Sequence, residues 1–383
     1  MALDFLKPLN VEILDFVNEL SSQHLGSKIV FHTKNDFPNI KKIKIAIVGV
    51  LENRGDFSAN KNVNLDFIRK EFYSLFPGNW IAPIADLGDL LPGDKIEDTY
   101  FALHKVASFL LKNNVIPIII GGSQDLTYPL YRAYDELEQM VNLVAIDSKF
   151  DLGQEEKLLN KDSYLSKIIV DEPNNLFNFS NLGYQSYYNS QEEIDLIEKL
   201  YFEAYRLGEL SNNISLAEHV LRDADFASID MKAVKSADSG NFDGFVPNGF
   251  NGKEICALAR YAGISDKTSM LGIFNHNNSA LESSLLAQII WYFIEGYHYR
   301  SNEYPFSSKE NYLKYIVPIE NDEIVFYKSD KTDRWWIEIP FIANNNNKLK
   351  KITLLPCSYD EYLTACNQEI PERWWKSQRK NIL

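Results

Sequence analysis

The residues Asp147-Ser148-Lys149-Phe150-Asp151 close the apolar run VNLVAI and place two carboxylates four residues apart with a lysine between them. Carboxylates gathered at the end of a buried strand need a compensating cation, which a metal or an ammonium group can supply. Two more apolar runs end in similar chemistry. VIPIII leads into Gly121-Gly122-Ser123-Gln124-Asp125, and Ser228-Ile229 leads into Asp230-Met231-Lys232. Asp147, Asp151 and Asp230 set against Lys149 and Lys232 leave one net negative charge without any metal. A charged lysine has no lone pair to donate and repels a divalent ion. The expectation is therefore that both lysine heads act as the cations, within salt-bridge reach of Asp147, Asp151 or Asp230, and that Lys149 is a buried counter-ion. Carboxylates that hold a lysine's proton also make it a poor nucleophile, which weighs against covalent chemistry there.

Such residues need strand ends to position them. From about residue 42, strand-like and helix-like segments alternate: KIKIAIVGV (42–50), a helical pattern over 97–114, VIPIIIGG (115–122), a helix from about Asp125, and VNLVAIDS (141–148). LFNFSNLGY, YFEAYRLG, DFASIDM and SMLGIFN add four strand candidates. Ser215-x-x-Glu218 and Ser279-x-x-Glu282 read as capping boxes, the second opening a long apolar helix through Tyr297. This alternation predicts a three-layer α/β/α fold with a mostly parallel central sheet, and in such sheets sites form beyond the carboxyl ends of the strands. From about residue 301 the pattern changes to short strands, YLKYIVPI, EIVFYKSD, RWWIEIP and KITLLPCS, with a turn at Glu320-Asn321-Asp322 and a helix capped by Ser358-x-x-Glu361. We divide the chain into an α/β domain over 1–300, with a lead-in over 1–41, and an antiparallel C-terminal appendage over 301–383.

Taken in order, the three strand ends resemble the ureohydrolase superfamily, which includes arginase, agmatinase and formimidoylglutamase. The corresponding motifs there are Gly-Gly-Asp-His, Asp-Ala-His-x-Asp and Ser-x-Asp-x-Asp. The resemblance covers roughly residues 42–300 and is closest to formimidoylglutamase-like proteins; IAIVG ending at Gly49, the pair Leu182-Gly183 and Asn277 in GIFNHN add to it. It implies an arginase-like fold and, in the family, two manganese ions bridged by a hydroxide that attacks a guanidinium or amidine carbon. The six ligand positions, two histidines and four aspartates, fall here on Gln124, Asp147, Lys149, Asp151, Asp230 and Lys232. A family glutamate that grips the cationic substrate falls on Asn275, or on Phe274 if the register slips by one. The six histidines are His24, His32, His104, His219, His276 and His298, and the absence of any between 105 and 218 prevents a register shift from restoring a ligand at the first two motifs. Only Asp147, Asp151 and Asp230 of the ligand set remain, so no metal cofactor is expected.

Composition narrows the partners. The net charge of −14 argues against nucleic acid or an anionic membrane as the main partner. The start MALDFLKPLN lacks the pattern of a secretory signal, and three cysteines without CxxC spacing suit a reducing, cytoplasmic setting. No tract of low complexity is seen beyond Asn344–Asn347. His104 reads as a packed or surface residue, His276 as a candidate to line the cleft, Cys357 as structural, and the pairs Trp335-Trp336 and Trp374-Trp375 as core or contact residues. Two functions follow. The first is a ureohydrolase-fold protein without its binuclear manganese centre or the parent hydrolysis, with a binding, scaffolding or regulatory role. The second is an active hydrolase of C–N bonds other than peptide bonds, using manganese on Asp147, Asp151 and Asp230, or no metal. A small-molecule ligand in the cleft is the expected partner, with a homo-oligomer or a protein partner left open.

Overall fold

The computed structural model describes residues 2–57, 63–137, 139–153, 159–242, 245–277, 279–303, 310–319, 322–339 and 354–382. Ten strands form the main sheet: β1 Leu6–Lys7, β2 Val30–Phe31, β3 Ile45–Val50, β4 Ile84–Leu90, β5 Ile116–Ile120, β6 Val141–Ile146, β7 Leu176–Tyr184, β8 Glu203–Arg206, β9 Phe226–Asp230 and β10 Met270–Phe274. Their order is β1-β4-β3-β5-β10-β9-β6-β7-β8, with β2 paired to β4. Every pairing is parallel except β1 with β4. The lead-in is thus part of the sheet, since β1 and β2 extend it beyond β4.

Strands β3, β5, β6 and β9 are buried at every residue, which is why they read as continuous apolar runs and not as alternating ones. Their two faces feed separate cores. Ile45, Ile47, Ile118 and Ile229 pack on one side with helices Asp66–Ser74, Gly252–Ile264 and Ala280–His298. Ala46, Val48, Ile119 and Phe226 pack on the other with helices Ile96–Lys112 and Tyr164–Val170. Helices on both faces leave the strand ends as the place where loops from β3, β5, β6, β9 and β10 meet.

Helix ends follow local chemistry. At Ser279 half of the expected capping box forms, Ser279 accepting from Glu282 N while the Glu282 carboxylate takes the Asn277 N–H; Ser215 makes no side-chain cap, because the first turn after it begins from a helical Ser215 backbone and its hydroxyl does not face the free N–H groups.

The C-terminal residues form a four-stranded antiparallel sheet, β11 Tyr312–Ile319, β12 Asp322–Ser329, β13 Trp335–Glu338 and β14 Leu354–Cys357, in that order. The Glu320-Asn321 part of the expected turn and the Asn344–Asn347 tract lie outside the described residues. Ser358 and Glu361 form the expected capping box of helix Tyr359–Cys366. The final segment is a helix, Glu372–Ile382, docked on the main sheet by charge. Arg373 donates Nε to Glu203 at 2.7 Å and Nη1 to the Pro356 carbonyl at 2.5 Å, and Lys380 donates to Asn178. Arg222 joins the two sheets again, bonding the Cys357 carbonyl at 3.0 Å while its guanidinium lies 4.7 Å from the Trp336 ring centre. Trp336 and Trp374 are buried, and Trp375 is the exposed member of its pair.

Removing one member of a buried ion pair strands the other. Arg373→Ala should lower unfolding stability by about 3 kcal/mol, the lower end of the usual range because Lys380 still neighbours Glu203. Urea denaturation at neutral pH reads this directly, and an effect under about 1 kcal/mol would place the pair among surface contacts.

Candidate functional site

The three expected strand ends do converge. Parallel register puts Ile146 of β6 beside Ile229 of β9, and Phe274 of β10 beside Asp230, so Asp147, Asp230 and Asn275 leave the sheet as neighbours. Asp147, Asp151 and Asp230 are all buried, at 1%, 5% and 5% exposure, and Gln124 is fully buried.

The aspartates are held first by backbone. Lys149 N donates to Asp147 Oδ1 at 2.9 Å, and Lys232 N donates to Asp230 Oδ1 at 2.7 Å. Each carboxylate thereby caps the tight turn that leaves its strand. Asp230 Oδ2 accepts from Asn275 Nδ2 at 2.8 Å. Asp151 and Asn275 both adopt left-handed backbone, φ 53° and 56°, which aspartate and asparagine tolerate better than most residues. Asn275 is therefore a structural donor to Asp230.

The lysine heads go elsewhere. Lys149 Nζ pairs with Asp162 at 3.2 Å, and Lys232 Nζ pairs with Asp56 at 3.6 Å. Both lysines are partly exposed, Lys149 at 46% of its side chain. This corrects the expectation of direct contact with Asp147, Asp151 or Asp230 and of Lys149 as a buried counter-ion. The physical reason is reach: backbone turns at 149 and 232 already satisfy one oxygen of each aspartate, and a solvated head avoids most of the desolvation that a buried ammonium would suffer.

The buried carboxyls then depend on protons. Burial, reinforced by the charges of Asp151 and Asp230, pushes Asp147 well above the usual carboxylate range. Burial and the Asp230 charge do the same to Asp151, and burial raises Asp230 against the pull of the Lys232 charge. Asp147 Oδ2 and Asp151 Oδ2 have no N–H or O–H partner. Gln124 turns its Nε2 to Ser228 Oγ at 2.9 Å and leaves Oε1 buried and unpartnered. His276 Nδ1 contacts the Asn277 carbonyl at 3.3 Å, and burial lowers its pKa.

Several residues of the site carry no motif. Asp56 follows β3 in the stretch Glu52-Asn53-Arg54-Gly55-Asp56, and Lys161 Nζ pairs with it at 2.7 Å. Asn181 on β7 donates to the Lys149 carbonyl at 2.7 Å. Asp125 lies beneath Gly55, accepts from Tyr100 OH at 2.6 Å, and is raised by burial to about 6. Reading the end of β3 as the other strand ends were read would have flagged Asp56.

The arginase family model matches residues 63–272, more than half of the chain. The chain belongs to the arginase family. Among solved structures, it is similar to Trypanosoma cruzi formiminoglutamase with Mn²⁺, at 16% identity and a TM-score of 0.60, over 69% of this chain and 100% of that one. Bacillus subtilis formimidoylglutamase matches at 14% and 0.59 over 70% and 91%, and Thermoplasma volcanium agmatine ureohydrolase at 18% and 0.58 over 74% and 98%. These likenesses bear on fold. Among curated proteins, none matches the chain by sequence. No helix among the described residues is long and apolar enough to cross a membrane.

The six positions that the resemblance assigns to metal ligands carry a mixed set of side chains here. Two of the six positions carry ammonium groups that face other carboxylates, and a third carries Gln124, whose nitrogen is committed to Ser228. Among the described residues no group of three or more His, Cys, Asp or Glu side chains is arranged to hold a metal ion.

Two outcomes follow from this geometry. Lys149→Ala removes only a half-exposed pair and should change stability by about 0–1 kcal/mol in urea. Asp151→Asn should stabilise the protein at neutral pH, because its raised folded pKa makes the ionised side chain a liability there. For a group raised in the fold, stability is full below the unfolded value near about 3.9 and is lost as pH climbs through the folded value. The advantage of Asp151→Asn should therefore shrink as the pH is lowered toward 4, read from unfolding curves across that window.

Proposed function

We propose that this arginase-family protein has given up the binuclear manganese centre and the hydrolysis that depends on it, and that its cleft serves binding or regulation. The observation that carries this reading is the identity of the groups at the metal-ligand positions: Lys149 and Lys232, each ion-paired away from the aspartates, and Gln124, bonded to Ser228. An ammonium neither donates a lone pair nor tolerates a dication beside it. Asn275, in place of an anionic clamp, spends its amide on Asp230 and offers no negative charge to a guanidinium. The domain division at about residue 300 and the small-molecule ligand belong to the same proposal.

A second reading has one observation in its favour. The unpartnered oxygens of Asp147, Asp151 and Gln124 are buried acceptors that a single cation would satisfy, which would leave room for residual C–N hydrolysis on one manganese ion.

Metal titration separates the two. A ligand that binds only the native state raises its melting temperature. Added Mn²⁺ at micromolar concentration should leave the melting temperature unchanged, and the purified protein should carry no stoichiometric manganese. Saturable stabilisation by several degrees would favour the second reading. The combined variant Gln124→His, Lys149→His, Lys232→Asp should gain manganese affinity that the parent lacks.

A further inference from the structure

Above the carboxylates lies a layer of ion pairs drawn from three separate strand ends. Asp56 comes from the loop after β3, Lys149, Lys161 and Asp162 from the loop after β6, and Lys232 from the end of β9. Asp56 bridges Lys161 at 2.7 Å and Lys232 at 3.6 Å, and Asp162 holds Lys149 at 3.2 Å. Lys161 N also donates to the Gly55 carbonyl at 3.1 Å, which ties the β3 loop to the β6 loop across the ends of β5, β10 and β9. Asp56 and Lys161 are only 12% and 16% exposed, so their pair is largely screened from solvent. The aspartates below are almost sealed, while Gln124, Asp147 and Asp151 keep buried oxygens without partners.

We propose that these pairs form an ionic roof over the cleft, and that access to its floor requires Lys161 and Lys232 to leave Asp56. The proposal rests on the cleft reading above, but its test reads motion and is independent of metal binding.

Both sides of the roof are anchored to the body of the domain. On the β3 side, Arg54 clamps Glu52 through Nε at 2.9 Å and Nη2 at 2.6 Å and reaches the Gly93 and Asp94 carbonyls at 2.9 and 3.0 Å. Buried Glu52 also accepts from Thr99 at 2.8 Å. Gly55 rests so closely on Asp125 that a Cβ there would stand 1.9 Å from its Oδ1. This side is a fixed beam. On the β6 side, Asn181 of β7 donates to the Lys149 carbonyl at 2.7 Å, Asn189 accepts from Phe150 N at 2.8 Å and donates to the Ser148 carbonyl at 3.1 Å, and Ser166 Oγ donates to the Gly153 carbonyl at 3.1 Å. Among the described residues, the Asp56–Lys161 pair and the bond from Lys161 N to the Gly55 carbonyl join the two sides.

Hydrogen exchange on the full chain tests this. The reporters are the amides of Lys149 and Lys232, which donate to Asp147 and Asp230 under the roof. Asp56→Asn and Lys161→Met should each speed exchange at both amides at least about ten-fold, while amides of β5 and β10 keep their rates. In the parent protein, KCl near about 1 M should act in the same direction by screening the more exposed Lys232–Asp56 pair. Unchanged exchange at both reporter amides in Asp56→Asn would overturn the proposal. So would acceleration spread evenly over the sheet in both variants, because the pairs would then hold the fold and not a gate.

Discussion

Three carboxylates buried at the ends of adjacent parallel strands set the terms for everything around them. A fully charged cluster of this kind is untenable in an apolar interior, so each member must find a donor, a proton or a cation. The chain answers with all three. Backbone amides at 149 and 232 cap Asp147 and Asp230, Asn275 supplies a side-chain donor, and burial with mutual repulsion raises Asp147 and Asp151 toward holding a proton. The lysine charges act from a distance. Their positions beside Asp56 and Asp162 follow from the same constraint, since a head that stays near water pairs with carboxylates that are also near water.

The parallel sheet was legible in the sequence because its central strands are buried on both faces and therefore read as unbroken apolar runs. The strand ends were legible because polar residues after such runs have few reasons to be there. The helix Glu372–Ile382 was not, and its buried face explains why: Arg373, Trp374, Ser377 and Lys380 recur at helical spacing but are mostly polar. An apolar period cannot show a face that docks through ions. Strand β4 hid in the same way, since its Asp86 and Asp89 are matched by Arg69 from the helix before it. Charged residues whose partners lie far along the chain leave no local pattern.

That limit also decided what could be read of the site. Asp147, Asp151, Asp230, Gln124 and Asn275 were found where motif and strand end coincide, and the structure gathers them. The destinations of Lys149 and Lys232 were not legible, because they depend on Asp162 and Asp56 in loops that share no spacing with the motifs. Charge counting over a motif assumes that its members neutralise one another. Here the relevant set is larger: Lys161 adds a third cation, and Asp56 and Asp162 add two anions.

The left-handed backbone at Asn275 bears on where this lineage can go. A glutamate placed there would have to occupy a conformation that disfavours it by about 1–2 kcal/mol relative to the right-handed region, and it would remove the donor that Asp230 now uses. A single codon change toward an anionic clamp thus meets a conformational and an electrostatic penalty together, before any catalytic gain is available to selection. The turn after β10 thus favours asparagine over glutamate twice, once through its backbone shape and once through what Asp230 needs.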